Sequence, residues 1–220
     1  SPGMEAALIY DLVPGGSGPD VLPGTPLDDM IIGRGGDDQA TGDAGRDTIL
    51  GNSGNDLLDG GDDSDQLYGG AGHDTMLGGT GDDKITGNGW RDTLVGDAGH
   101  DRTFGGAGKD RLFGSAGDDL LDGGAGFDVL FGDIGNATLS ETSGGDKLFG
   151  GNDDDTLTAS GDAEGAFLHG GMGNDTLMAI GDIGGTLAGA SGVDLAKLFI
   201  TPDAGPYTVV VLDPIFHGMV

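Results

Sequence analysis

The sequence predicts a solenoid, a one-dimensional stack of short repeats, in place of a globular domain or a disordered linker. Three observations predict it. Cutting the chain every nine residues from Gly24 yields twelve consecutive blocks without an insertion, ending at Phe131. The first position is Gly in all twelve, the sixth is Asp in all twelve, and the eighth is apolar in eleven, Thr103 being the exception. Composition follows the same rule: 50 of the 220 residues are Gly, and 35 of the 38 acidic residues are Asp, with only Glu5, Glu141 and Glu164 as Glu. An acidic, glycine-rich chain without a period would read as disordered. Self-similarity at a fixed short period is instead the mark of a repeat architecture.

The formal charge of -29 excludes nucleic acid as a partner, because neutralising phosphates takes a basic surface, and it disfavours anionic membranes for the same reason. Cations are the natural partner. The absence of Cys removes a disulfide framework and thiolate metal sites. No apolar run reaches the roughly 18 residues of a membrane span, and Ser1 to Val13 has no Lys or Arg to serve as the basic start of a signal peptide.

Residues 1–23 read as an N-terminal cap and linker, with the apolar run Ala6 to Val13 before Pro14 as a strand over the open edge of the first repeat. Residues 24–158 hold the regular array. Typical blocks are GGAGHDTML from Gly69 and GGAGKDRLF from Gly105. After Phe131 the frame continues with defects: GDIGNATLS has Ala137 in place of Asp, and ETSGGDKLF keeps Asp146 but loses the leading glycines. GGNDDDTLT then restores the motif at Asp155, and Ala159 with Ser160 reads as a two-residue insertion. Residues 159–197 are degenerate repeats, with a full match at Asp175 in GGMGNDTLM. Residues 198–220 contain YTVVVL at Tyr207 to Leu212, a strong strand signal that reads as a second cap, since solenoids need polar or paired ends; the alternative is an uncleaved C-terminal secretion signal within Tyr207 to Val220.

The blocks resemble the RTX family, whose haemolysin-type repeat is G-G-x-G-x-D-x-U-x, over roughly Gly24 to Lys197. The resemblance implies an all-β fold, a parallel β-roll with 18 residues per coil, in which each nonapeptide supplies a Gly-rich turn and a short x-U-x strand and repeats i and i+2 stack. On that geometry the eighth residue points inward and the seventh and ninth outward. Stacked sixth-position carboxylates about 5 Å apart would repel by roughly 3 kcal/mol at an effective dielectric near 20. A hard cation reverses that balance: Ca2+ accepts 6–8 oxygens from carboxylates and main-chain carbonyls.

The family pattern therefore implies about ten Ca2+ ions, held between stacked Asp pairs: Asp38/Asp56, Asp56/Asp74, Asp74/Asp92, Asp92/Asp110 and Asp110/Asp128 on one side, and Asp29/Asp47, Asp47/Asp65, Asp65/Asp83, Asp83/Asp101 and Asp101/Asp119 on the other. Asp146, Asp155 and Asp175 carry the motif with less regular partners. The turn carbonyls expected beside them belong to Gly42, Gly51, Gly60, Gly69, Gly78, Gly96, Gly105, Gly114 and Gly123. Trp90, at a fourth position, and Leu27 with Asp28 depart from the turn pattern and are expected to impair their sites, and Ala137 to weaken any site that needs it.

Asp37, Asp43, Asp82, Asp97, Asp118 and Asp133 read as a solvated acidic face, and His73 and His100 as exposed turn residues. The chain has no His-Glu-x-x-His, G-x-S-x-G or EF-hand pattern. No catalytic residue is expected. The resulting reading is a secreted, extracellular calcium-binding module that folds outside the cell, assists export by type I secretion machinery, and stabilises an attached effector or surface partner. The alternative is the C-terminal repeat region of a larger secreted enzyme, such as a metalloprotease, lipase or alginate epimerase.

Overall fold

The computed structural model describes residues 11–141, 143–161, 166–181, 186–188, 195–199 and 210–212. Among these the chain is all β: strands alternate between two parallel sheets of eleven strands each, successive strands in sequence lying in opposite sheets. Within the regular array each strand pairs with the strand two repeats away in a register of 18 residues, as in Leu94↔Leu112 and Ile49↔Leu67. This is a parallel β-roll.

The eighth-position side chains form the core, one residue wide on each sheet. Ile31, Ile49, Leu58, Leu67, Met76, Ile85, Leu94, Leu112, Leu121 and Leu130 are all fully buried. The neighbouring seventh and ninth residues face outward, as the alternation of a strand requires. On the outside of one sheet, ninth-position Phe113, Phe131 and Phe149 stack with ring centroids 5.1 and 4.9 Å apart.

Thr103 occupies an inward position with its Oγ1 buried and without a hydrogen-bond partner. Thr103→Val keeps the shape and removes the stranded hydroxyl, so it is expected to raise stability by about 1–2 kcal/mol in denaturant unfolding of the folded protein. A loss of stability would show that the hydroxyl is satisfied.

The strands are longer than the three residues expected. Gln66–Ala71 runs from the seventh position of one repeat through the third of the next, six residues, and leaves only positions four to six as the turn. Stacked backbone must pair its N–H and C=O groups, and the absence of side chains at the leading glycines lets adjacent coils come close enough to do so. The second and fourth positions lie in the left-handed region, as in Gly70 (φ 114°) and Gly72 (φ 136°). Where the second residue is not Gly it is mostly Asp or Asn: Asp43, Asn52, Asn88, Asp97 and Asp133 all have φ between 74° and 83°. These are the short polar side chains that tolerate that conformation. Three of the outer acids are thus placed by the backbone.

The roll begins before Gly24. Asp11–Pro14 pairs with Asp29–Gly35, and Val21–Pro23 with Gln39–Ala44, both at the same 18-residue register. Residues 15–23, GGSGPDVLP, are a complete repeat that the frame from Gly24 left in the linker. At the other end the spacing grows to 20 residues, Leu148↔Leu168 and Leu157↔Leu177. Ala159 itself stays in the 18-residue register, opposite Glu141, so the two extra residues fall beyond Ser160 and before Phe167. Val210–Leu212, the end of the expected YTVVVL strand, pairs with Thr186–Ala188 at the edge of one sheet. Ala6 to Tyr10, Tyr207 to Val209 and the residues after Leu212 lie outside the described residues.

Candidate metal centres

Each sixth-position Asp stands at the coil edge, just before a strand, and its two oxygens have different surroundings. One is used by the fold. The backbone N–H of each Asp donates to Oδ1 of the Asp 18 residues later, and the ten pairs named from the sequence are all joined this way at 2.7–2.9 Å. The next residue's N–H donates to the carbonyl of the Asp one coil earlier, as Thr75 does to Asp56 at 2.8 Å.

The other oxygen has no donor. Oδ2 of Asp38, Asp47, Asp56, Asp65, Asp74, Asp83, Asp92, Asp101, Asp110, Asp119, Asp128, Asp146, Asp155 and Asp175 is buried without a hydrogen bond. Except at Asp146, whose repeat begins with Glu141, it faces the first glycine of its own repeat. A methyl group on Gly42 would lie 2.1 Å from Asp47 Oδ2 and 2.3 Å from the carbonyl oxygen of Gly60, one coil on. The same two oxygens flank Gly51 (Asp56 2.3, Gly69 2.8 Å), Gly60 (Asp65 2.4, Gly78 2.5 Å), Gly78 (Asp83 2.4, Gly96 2.6 Å), Gly105 (Asp110 2.8, Gly123 2.6 Å) and Gly114 (Asp119 2.4, Gly132 2.9 Å). At Gly69, Gly96 and Gly123 the carboxylate oxygen is 2.3, 2.3 and 2.8 Å away. None of these first glycines has a left-handed φ. They are glycine because a side chain would fill a cradle lined by oxygen.

Burial without a donor penalises the charged form. It pushes Asp65, Asp92, Asp101, Asp128 and Asp155 from 3.8 to about 7 and Asp47, Asp56 and Asp83 to about 6, opposed by the backbone N–H on Oδ1 and reinforced by neighbouring carboxylates. Buried oxygens of this kind are satisfied by a proton or a cation. Among the described residues no three His, Asp or Glu side chains form a metal-binding group. The donors in each cradle are instead carboxylate and main-chain carbonyl oxygens, hard ligands of the type that suits Ca2+.

The departures separate. Trp90 adopts φ 87° and lies exposed, its ring edge-on to His73 at 6.0 Å, while the cradle of its own repeat keeps the common form: a methyl on Gly87 would lie 2.4 Å from Asp92 Oδ2 and 2.7 Å from the Gly105 carbonyl oxygen. The cradle at Gly24 also has both oxygens, but Asp29 Oδ2 accepts the Thr25 N–H at 2.6 Å and its hydroxyl at 3.1 Å. A methyl on Gly132 would lie 2.6 Å from the methyl of Ala137, where its counterparts would meet a carboxylate. Asp20, missed from sequence, accepts the Gly16 N–H on Oδ2 and faces Gly15, and its own N–H donates to Asp38 Oδ1 at 2.8 Å. The G-G-x-G-x-D signature at Gly15 was the available signal. Asp155 and Asp175 are joined across the longer coil at 3.0 Å, and the Asp128 N–H donates to Asp146 Oδ1.

A second ladder runs along the exposed fifth positions. Asp37, Asp82 and Asp118 accept the N–H of Asn55, His100 and Asn136, and Nδ1 of His73 and His100 accepts the N–H of Arg91 and Asp118 at 3.1 and 2.9 Å. The fifth-position acids and histidines are exposed, as expected, but they also tie coil to coil.

The family model described as the RTX calcium-binding nonapeptide repeat (4 copies) matches residues 14–49, 41–76, 68–103, 77–112, 104–139, 142–164 and 167–179. Its first match takes in the repeat at Gly15. No match was found among curated proteins. Among the described residues no helix is long and apolar enough to cross a membrane.

Proposed function

Since this chain belongs to the RTX calcium-binding nonapeptide-repeat family, we propose that it is a secreted module that stays expanded where calcium is scarce and folds on binding several Ca2+ ions outside the cell. Folding after export would favour one-way passage through type I secretion machinery, and the finished roll would stabilise an attached effector or surface partner. One observation carries this reading: the same cradle, a donorless buried carboxylate oxygen against a main-chain carbonyl, recurs turn after turn.

The residues that would hold the ions are the Asp columns and the facing first-position glycines. The ten pairs from Asp29/Asp47 to Asp110/Asp128 are extended by Asp20/Asp38, Asp128/Asp146 and Asp155/Asp175. A bound divalent ion supplies positive charge between coils. The chain's own residues do the rest: Oδ1 fixes the distance between coils, glycine keeps the cradle open, and the inward column of Leu and Ile excludes water from beneath it. Without a counter-charge, the charged Oδ2 oxygens oppose closure.

The test is far-UV circular dichroism of chelated protein titrated with Ca2+ and, separately, Mg2+ at constant ionic strength. The expected result is a cooperative coil-to-β transition near 0.1–1 mM Ca2+, on the order of extracellular modules, with a weaker response to Mg2+, which dehydrates reluctantly. Asp74→Asn removes charge from the centre of a column and should shift the midpoint upward several-fold. Asp133→Asn, at an exposed second position, should leave it within about twofold of the parent. A β spectrum already complete in chelator would remove the folding switch.

A further inference from the structure

Among the described residues two turns have lost the sixth-position acid, and one of them is repaired. The Phe167 N–H donates to the Asp146 carbonyl at 2.8 Å, the bond that elsewhere follows a sixth-position residue, so Ala166 stands where the next Asp of that column belongs. It is buried and carries no carboxylate. In the same column, at the first position of the preceding turn, the glycine of the regular array is replaced by Glu141, in register with Ala159.

Glu141 is an acid that is almost completely buried, at 1% exposure, beside Asp146 at 0%. Its Oε1 accepts the Ser160 N–H at 3.0 Å, and its carbonyl accepts the Ser160 hydroxyl at 2.9 Å, so the neighbouring coil fixes the side chain. Its Oε2 and Asp146 Oδ2 have no N–H or hydroxyl donor. The two carboxyl groups lie within hydrogen-bonding reach of each other, so the pair as it stands shares a proton at the place a cation would take. The second defect, Ala137, has no such acid: its first position remains Gly132.

We propose that Glu141 and Asp146 form a divalent-cation site of their own kind, in which the carboxylate lost at Ala166 is returned from the first position of the preceding turn. This closes the C-terminal end of one column with two side-chain carboxylates where the common cradle presents one against a carbonyl. The coil at Ala137 remains a gap in the other column. The inference rests on the calcium-binding reading above.

Bound calcium per chain, measured by equilibrium dialysis at saturating Ca2+, tests it with the full chain. Glu141→Gln, which preserves size and supplies an amide donor toward Asp146, should retain about one ion fewer than the parent. Glu141→Gly combined with Ala166→Asp returns a first-position glycine to the Asp146 turn and a sixth-position acid to the next one, and should restore the parent's count, which also covers a single variant that fails to fold. An unchanged count in Glu141→Gln, while Asp74→Asn does lose calcium, overturns the site and leaves the general reading standing. A parent chain that binds no calcium overturns both.

Discussion

In chelator, the protein is expected to gain β structure as pH falls from about 8 to about 5, and to lose it again on return. The cradle carboxyls determine the sign. In the unfolded chain these Asp residues titrate near 3.8, whereas in the metal-free roll burial raises Asp65, Asp92, Asp101, Asp128 and Asp155 to about 7. Between those values the folded state binds more protons than the unfolded state, so stability is fully present below about pH 4 and is lost as pH rises through about 7. Protons and calcium compete for the same Oδ2 atoms. With Ca2+ present the loss at neutral pH should disappear, so the two pH profiles should meet at low pH and separate above about pH 6. Circular dichroism at 218 nm across that range, with and without calcium, measures it. A metal-free profile that rises with pH would show that the inward carboxylates are not buried in the folded state.

The second large effect is expected from one methyl group. Gly42→Ala adds no backbone strain, because Gly42 does not have a left-handed φ, but its methyl would stand 2.1 Å from Asp47 Oδ2 and 2.3 Å from the Gly60 carbonyl. Either the carboxylate or the coil must move, at a cost of about 1–3 kcal/mol. Calcium binding at that cradle should be lost, and the midpoint of the calcium transition should rise several-fold. Gly89→Ala is the matched control: nothing lies within 4 Å of its added methyl, and its φ is also not left-handed. Equal calcium responses of the two variants would refute the cradle.

The regularity of the array makes much of this legible in the order of the amino acids. In a stack, residue n of every repeat meets the same surroundings, so a residue type enforced at one position reports its environment many times over. The inward residues Ile49, Leu58 and Leu67, the paired Asp columns and the nine-residue frame all follow from that repetition. Legibility fails where repetition fails. The complete repeat at Gly15 is hidden by the irregular residues before it and by the Pro-containing block at Gly24, and the six-residue strands are hidden because glycine gives no outward or inward pattern to read.

What the sequence by itself determined is the period, the all-β roll and which residues line its two acidic columns, because each of these is a one-dimensional property repeated along the chain. The tertiary structure alone decided how each carboxylate divides its oxygens, why the first glycine differs from the second and fourth, and that Glu141 faces Asp146 where Ala166 lacks an acid. Those depend on which atoms the 18-residue register, lengthened to 20 near the end, brings into contact. Two residues that defy the repeat can repair one another only through that register.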